Sequence, residues 1–199
     1  MLNGLGVVHR ALYAAAMAIL EALASWSASP NCDDRLSGQP VDSIVLHSIS
    51  LPPGDYSKGD DEDHPVIRFF QNRLDYSLHP YFEQLQGVTV SSHFFIRRCG
   101  RIIQLVDTDQ RAWHAGESYH AQQCRVNDRS VGIELEGWDE ADDGYEEAQY
   151  KALRELLSAL RSLHPELKRE NVMAHSDIAL GRKFDPGPYF DWPAALREW

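Results

Sequence analysis

The sequence predicts a single domain of mixed α and β structure, and three stretches carry that prediction. Residues 43–47 centre on Ile44, Val45 and Leu46, a short apolar run that reads as a buried strand. Residues 88–98 and 101–106 flank Cys99-Gly100 and read as two antiparallel strands joined by a tight turn. Residues 147–163 place Tyr150, Leu153, Leu156, Leu157 and Leu160 on one face of an amphipathic helix. The length of 199 residues suits one domain. At that size roughly 70% of the unfolded surface can be buried without a disulfide or a structural metal.

In chain order, residues 11–20 form an unbroken apolar run of ten after His9 and Arg10. That is too short to span a bilayer, which needs about 20 residues. Three readings stand for it: the apolar part of a signal peptide with a small-residue cleavage region near Ala28, an Ala-rich helix packed on the domain, or an extension from an early start codon. Residues 1–28 are therefore set apart as an N-terminal extension, and 29–199 as the folded domain. Residues 29–41 are rich in turn formers and read as a loop. After the strand at 43–47, Leu51-Pro52-Pro53-Gly54 ends any central strand, because proline lacks the donor. Residues 55–64 are charged and read as an exposed loop, and 64–74 form a helical pattern that opens with Pro65. The antiparallel pair follows, then a short strand at 130–136 and the helix at 147–163, which Pro165 closes. The tail from Met173 onward is rich in Pro, Gly and aromatic residues. No internal repeat or long linker divides the chain.

Composition narrows the function classes. Lys plus Arg number 19 against 30 Asp plus Glu, a formal net charge of -11. Such an acidic body repels phosphate backbones, and the basic residues are scattered, so no nucleic-acid partner is expected. No membrane partner and no obligate protein partner are expected either. The three cysteines, Cys32, Cys99 and Cys124, form no CxxC pair and no disulfide framework, which points to a reducing compartment.

Nine histidines are the chemically suggestive feature. His9, His120 and His164 sit in polar or terminal settings and read as solvated, while His64 and His79 each precede a proline and read as helix starters. For His93 and His114 a hydrogen-bonded core role and a functional role are equally open. His47 stands at the end of a buried strand, where a side chain is delivered to a cleft with fixed geometry. Taken alone it reads as a satisfied core histidine. In the tail, His175 and Asp185 flank SDIALGRKF, a length that can fold back so both meet one ion. Two imidazoles and a carboxylate are a familiar ligand set for catalytic zinc with an open fourth position. Such a site also needs a base and a donor for the oxyanion. Glu134 suits the first and Lys183 the second; the alternatives are a surface ion pair for Glu134 and a solvated Lys183. Glu136 shares the strand face of Glu134, and the alternation does not choose between them.

Four segments then bear a family resemblance: VLHSISLPPG (45–54), RAWHAG (111–116), NDRSVGIELEG (127–137) and AHSDIALGRKFDPGPYFDW (174–192). In this order they resemble the zinc-dependent N-acetylmuramoyl-L-alanine amidases, within which the match is to the 1,6-anhydro-N-acetylmuramyl-L-alanine amidases of bacterial cell-wall recycling. The resemblance runs from about residue 29 to the end and implies a central mixed β-sheet flanked by helices. It implies His47, His175 and Asp185 as zinc ligands, Glu134 as the catalytic acid–base residue, and Lys183 at the scissile carbonyl. It implies Arg125 as a contact to a substrate carboxylate and Trp113 as a cleft aromatic. Three positions depart from the family pattern: Ser48 replaces an Asn after the first ligand, Thr89 a basic residue, and Leu180 a proline. Ser48 is kept as a substrate-binding position with one hydrogen bond weakened.

The implied activity is zinc-dependent hydrolysis of the amide between the lactyl group of N-acetylmuramic acid and L-alanine. The implied substrate is a soluble anhydro-muropeptide in the cytoplasm. Two rivals differ in checkable ways. A periplasmic amidase acting on polymeric peptidoglycan would lose residues 1–28 on maturation. A non-catalytic peptidoglycan-binding module would lack bound zinc.

Overall fold

A computed structural model describes residues 3–36, 38–57 and 59–199, built around a mixed sheet whose two longest strands lie side by side near its middle. The strands in chain order are β1 (Ala24–Trp26), β2 (Cys32–Asp34), β3 (Ser43–Ile49), β4 (Phe94–Ile96) and β5 (Ile102–Gln104). They continue with β6 (Gln110–Ala112), β7 (Tyr119–His120), β8 (Gln123–Cys124), β9 (Ser130–Glu136) and β10 (Val172–Ala174). Six of them form one sheet in the order β1-β5-β4-β9-β3-β10, while β2 pairs with β6 and β7 with β8. Within the six-stranded sheet only the β4–β5 pair is antiparallel. The helices are α1 (Asn3–Leu23), α2 (Pro65–Phe70), α3 (Glu147–Leu163), α4 (His175–Ile178) and α5 (Trp192–Leu196).

Every residue of β9 is buried, including the polar Ser130, Glu134 and Glu136 of one face. Alternation splits the side chains of β3 and β9 between two layers. Ile44, Leu46, Val131, Ile133 and Leu135 join the main core against α3 and α1. Val45, His47, Gly132 and Glu134 therefore emerge on the opposite face. That face is covered in two parts: a cluster around α2 with Phe95 and Ile103, and a smaller one of Val45, Ala115, Val126, Met173 and Ile178. The helix α3 has the bounds expected from its periodicity and opens with a capping box between Glu146 and Gln149.

Ala16 and Leu20 of α1 are buried in the main core, and the chain then enters β1, whose Ala24–Trp26 pair with Ile102–Gln104 of β5. The packed-helix reading of the N-terminal stretch thus describes its conformation. Residues 24–26, set apart from the domain on sequence grounds, are the edge strand of its sheet. No helix among the described residues is long and apolar enough to cross a membrane.

Two elements are shorter than their patterns suggest. The helix at 64–74 stops at Phe70, because Asn72 adopts a left-handed φ of 57° and exchanges side-chain hydrogen bonds with Asn31. The first strand of the antiparallel pair begins only at Phe94, because Ser91 and Ser92 direct their hydroxyls to the backbone carbonyls of Asn31 and of Phe94 and Gly132. The turn at Cys99-Gly100 is present, with Gly100 at φ 83°, where an added Cβ would meet the Ala148 carbonyl oxygen at 2.7 Å.

Candidate metal centre

Parallel pairing of β3 with β10 sets Leu46 against Ala174, so the residues that follow, His47 and His175, leave the sheet side by side. His175 opens α4, and the chain beyond turns back on itself. Ala179, Arg182 and Lys183 make local backbone hydrogen bonds, and Ser176 N donates to Asp185 O at 3.1 Å. This returns Asp185 to the two histidines. His47 Nδ1 and His175 Nδ1 lie 2.9 Å apart, and each is 3.1 Å from Asp185 Oδ2. All three residues are buried. Among the described residues this is the one group of His, Cys, Asp or Glu side chains placed to share a cation.

The outer edges of the imidazoles test whether a cation fits. His175 Nε2 faces the Ala115 carbonyl oxygen at 3.1 Å. A carbonyl only accepts, so Nε2 carries the proton and Nδ1 presents a bare lone pair. His47 Nε2 lies 2.9 Å from His114 Nδ1. Burial pushes the His47 pKa down to about 4, against the pull of Asp185, so its imidazole is neutral at pH 7. Two imidazoles and a carboxylate thus converge on one point. A tetrahedral ion with bonds of about 2.0–2.1 Å spaces its ligands about 3.3 Å apart, close to the separations found. The residues present fit zinc.

Glu134 lies directly across from His47 in the β3–β9 register. It is 8% exposed, and its Oε2 has no hydrogen-bond partner among the described residues. Burial pushes its pKa well above the ordinary carboxylate value; Asp185 adds to this and Lys183 opposes it. Glu136, on the same face, is satisfied instead: Oε1 is 2.9 Å from His64 Nε2, and Oε2 accepts from Arg98 N at 2.9 Å. The two glutamates that the alternation could not separate are separated by their partners.

His47, Glu134, His175, Lys183 and Asp185 line one cavity of about 400 Å3. Leu51, Pro53, Phe69, Phe70, Trp138 and Phe184 give it an apolar wall. Ser48 lines it too. Arg125 and Trp113 do not line it. Arg125 Nε donates to Asp128 at 2.9 Å with a side chain 64% exposed, and the Trp113 indole N–H donates to Asp33 at 3.2 Å. Asp128 and Asp33 are also bridged by Arg111, which makes this a second polar cluster apart from the metal site. Of the proline-preceding histidines, His64 and His79 do cap their helical turns, accepting from Val66 N and Tyr81 N. Sequence reasoning passed over Trp138, whose only signal is an aromatic residue immediately after GIELEG, and left His114 undecided.

The family model described as N-acetylmuramoyl-L-alanine amidase matches residues 37–188. The chain belongs to this family of amide hydrolases. A 1,6-anhydro-N-acetylmuramyl-L-alanine amidase AmpD of Haemophilus influenzae is 42% identical over 168 residues, covering 84% of this chain and 88% of the relative. A crystal structure of a selenomethionine AmpD derivative superposes with a TM-score of 0.80 at 41% identity, covering 87% of this chain and 93% of that one. The amidase AmiD from Escherichia coli, solved with anhydro-N-acetylmuramic acid-L-Ala-D-γ-Glu-L-Lys, gives a TM-score of 0.56 at 31% identity, covering 82% of this chain and 60% of that one.

Proposed function

We propose that this chain hydrolyses the amide between the lactyl group of 1,6-anhydro-N-acetylmuramic acid and L-alanine in soluble muropeptides, as a zinc enzyme. The observation that carries the reading is a His-His-Asp donor set beside a buried carboxylate with a free oxygen, in one cavity. His47, His175 and Asp185 would hold the zinc, which when bound supplies a Lewis acid that acidifies water and polarises a carbonyl.

Glu134 is the acid–base residue in this reading. Its carboxylate, which lines the cavity, takes the proton of the attacking water and returns it to the departing L-alanine nitrogen. Its raised affinity for a proton suits the carrying of that proton to the departing nitrogen. Lys183 carries a positive charge to the same cavity and offsets charge growing on the carbonyl oxygen. Ser48, which lines the same cavity, is kept as a substrate contact in this reading. Arg125 would receive a stem-peptide carboxylate, since its side chain is largely exposed beside its partner Asp128. Trp113 stands in the neighbouring Asp33 cluster, its indole N–H donating to Asp33.

We place the activity in the cytoplasm. Removal of residues 1–28 would strip the sheet of β1 and the core of Ala16 and Leu20, which weighs against the periplasmic reading. The test is digestion of a soluble anhydro-muropeptide and of intact sacculi by the zinc-loaded protein, with mass spectrometry of the mature chain. The expected result is release of L-alanyl peptide from the soluble substrate by a chain that retains residues 1–28. Preferential digestion of sacculi by a shortened chain would overturn it, and muropeptide binding without zinc or hydrolysis would favour the binding-module rival.

A further inference from the structure

Two consecutive residues, His114 and Ala115, meet the outer edges of both histidines in the metal centre. His47 Nε2 is 2.9 Å from His114 Nδ1, and His175 Nε2 is 3.1 Å from Ala115 O. The pair is itself held from behind: Asn127 Oδ1 accepts from both His114 N and Ala115 N, at 3.2 and 2.8 Å. Arg182 also donates to Ala115 O at 2.7 Å, tying the pair to the loop that delivers Asp185.

The direction of every bond in the chain behind His47 follows from its far end. Ser130 Oγ lies 2.7 Å from the Val126 carbonyl oxygen, which only accepts, so the single Ser130 proton points there. His114 Nε2, 3.2 Å from Ser130 Oγ, must then be the donor. With its proton on Nε2, the neutral His114 ring offers Nδ1 as an acceptor. His47 Nε2–H donates to it, and the Nδ1 lone pair of His47 is left facing His175 and Asp185. The ring of His114 reaches this place because residue 132 of β9 has no side chain. A Cβ on Gly132 would come within 2.4 Å of the imidazole.

We propose that His114 is a positioning residue of the metal centre, and that with the Ala115 carbonyl, anchored by Asn127, it fixes the tautomer and orientation of His47 and His175. This rests on the zinc reading above and extends it to residues that do not touch the ion. Partners of this kind typically change metal affinity by about 10–100-fold when removed. His114→Phe keeps a ring over Gly132 but has no acceptor for His47; His114→Asn places an amide oxygen about where Nδ1 stood.

The experiment is chelator competition for zinc on the full chain, alongside muropeptide hydrolysis. His114→Phe is expected to bind zinc about 10–100-fold more weakly than the parent protein, and His114→Asn to recover most of that loss. Parent-like affinity in His114→Phe, or an equal loss in both variants, would overturn the proposal. Nitrogen-15 NMR of the imidazoles in the zinc-loaded parent protein gives a test independent of variant folding. A proton on Nε2 alone is expected for His114, and a proton on Nδ1 would overturn the assignment. If the parent binds zinc yet releases no L-alanyl peptide, the functional reading fails while this affinity comparison still stands. An active parent with unchanged affinity in His114→Phe would sink the positioning role alone.

Discussion

Glu134 and Glu136 stand two residues apart on the same face of β9, and their surroundings are opposite. For Glu136, burial alone would raise the pKa, but His64, the Arg98 backbone N–H and nearby Arg97 outweigh it and hold it below the ordinary value. For Glu134, burial and Asp185 act together, with only Lys183 opposing, and a proton is held more tightly. One carboxylate is locked as a structural anion that ties α2 to the sheet; the other keeps an oxygen free in a cavity. A strand supplies both with equal geometric precision, so it is the partner set that decides which one can do proton chemistry.

Replacing each residue in turn sharpens the contrast, with the largest effect at Glu134. Glu134→Gln is expected to lower kcat by about 10²–10⁴-fold, read from the rate of L-alanyl peptide release. Turnover within a few-fold of the parent would remove Glu134 from the acid–base role. Glu136→Gln is expected to do the reverse. It should leave kcat nearly unchanged while lowering unfolding free energy by about 1.5–3 kcal/mol, the scale of buried hydrogen bonds to a charged group, measured by urea denaturation. A collapse of kcat with intact stability would reverse the two roles.

Much of this frame is legible in the sequence. The bounds of β9 follow from its alternation and those of α3 from its helical periodicity, whereas β3 runs to Ile49, two residues past the end at His47 that the sequence suggests. The convergence of His175 and Asp185 is legible as a possibility, because nine intervening positions allow a fold-back; the backbone bonds that produce it carry no side-chain signature. The distinction between Glu134 and Glu136 lies outside any periodicity, since it depends on His64, which is 72 residues away from Glu136. His114 is illegible for the same reason: its place depends on an absent side chain at Gly132 and on register between distant segments. Arg125 and Trp113 are offered as cleft residues by resemblance, but the carboxylates Asp128 and Asp33 that hold them become evident only in three dimensions.

Acid titration gives a finer view of the same pair. Because the folded pKa of Glu136 is lowered, its stabilising contribution is present above the unfolded glutamate value of about 4.3 and is lost as pH falls through the folded value. The stability gap between the parent protein and Glu136→Gln should therefore narrow as pH drops below about 4.3, by at most about 1.4 kcal/mol per pH unit. A gap that stays constant to the acid-unfolding limit would contradict the lowered pKa. The smallest effect concerns the outlying cluster. Arg125→Ala is expected to change stability by no more than about 1 kcal/mol and to raise KM with kcat preserved, the pattern of lost uniform binding. An unchanged KM would remove Arg125 from substrate recognition.

The most direct test of the account is the zinc content of four dialysed proteins measured by elemental mass spectrometry: the parent chain, His175→Ala, Asp185→Ala and Glu134→Gln. The account predicts one zinc per chain in the parent and in Glu134→Gln, and loss of most of it in the two ligand variants. Full retention in His175→Ala and Asp185→Ala, or loss in Glu134→Gln alone, would contradict it.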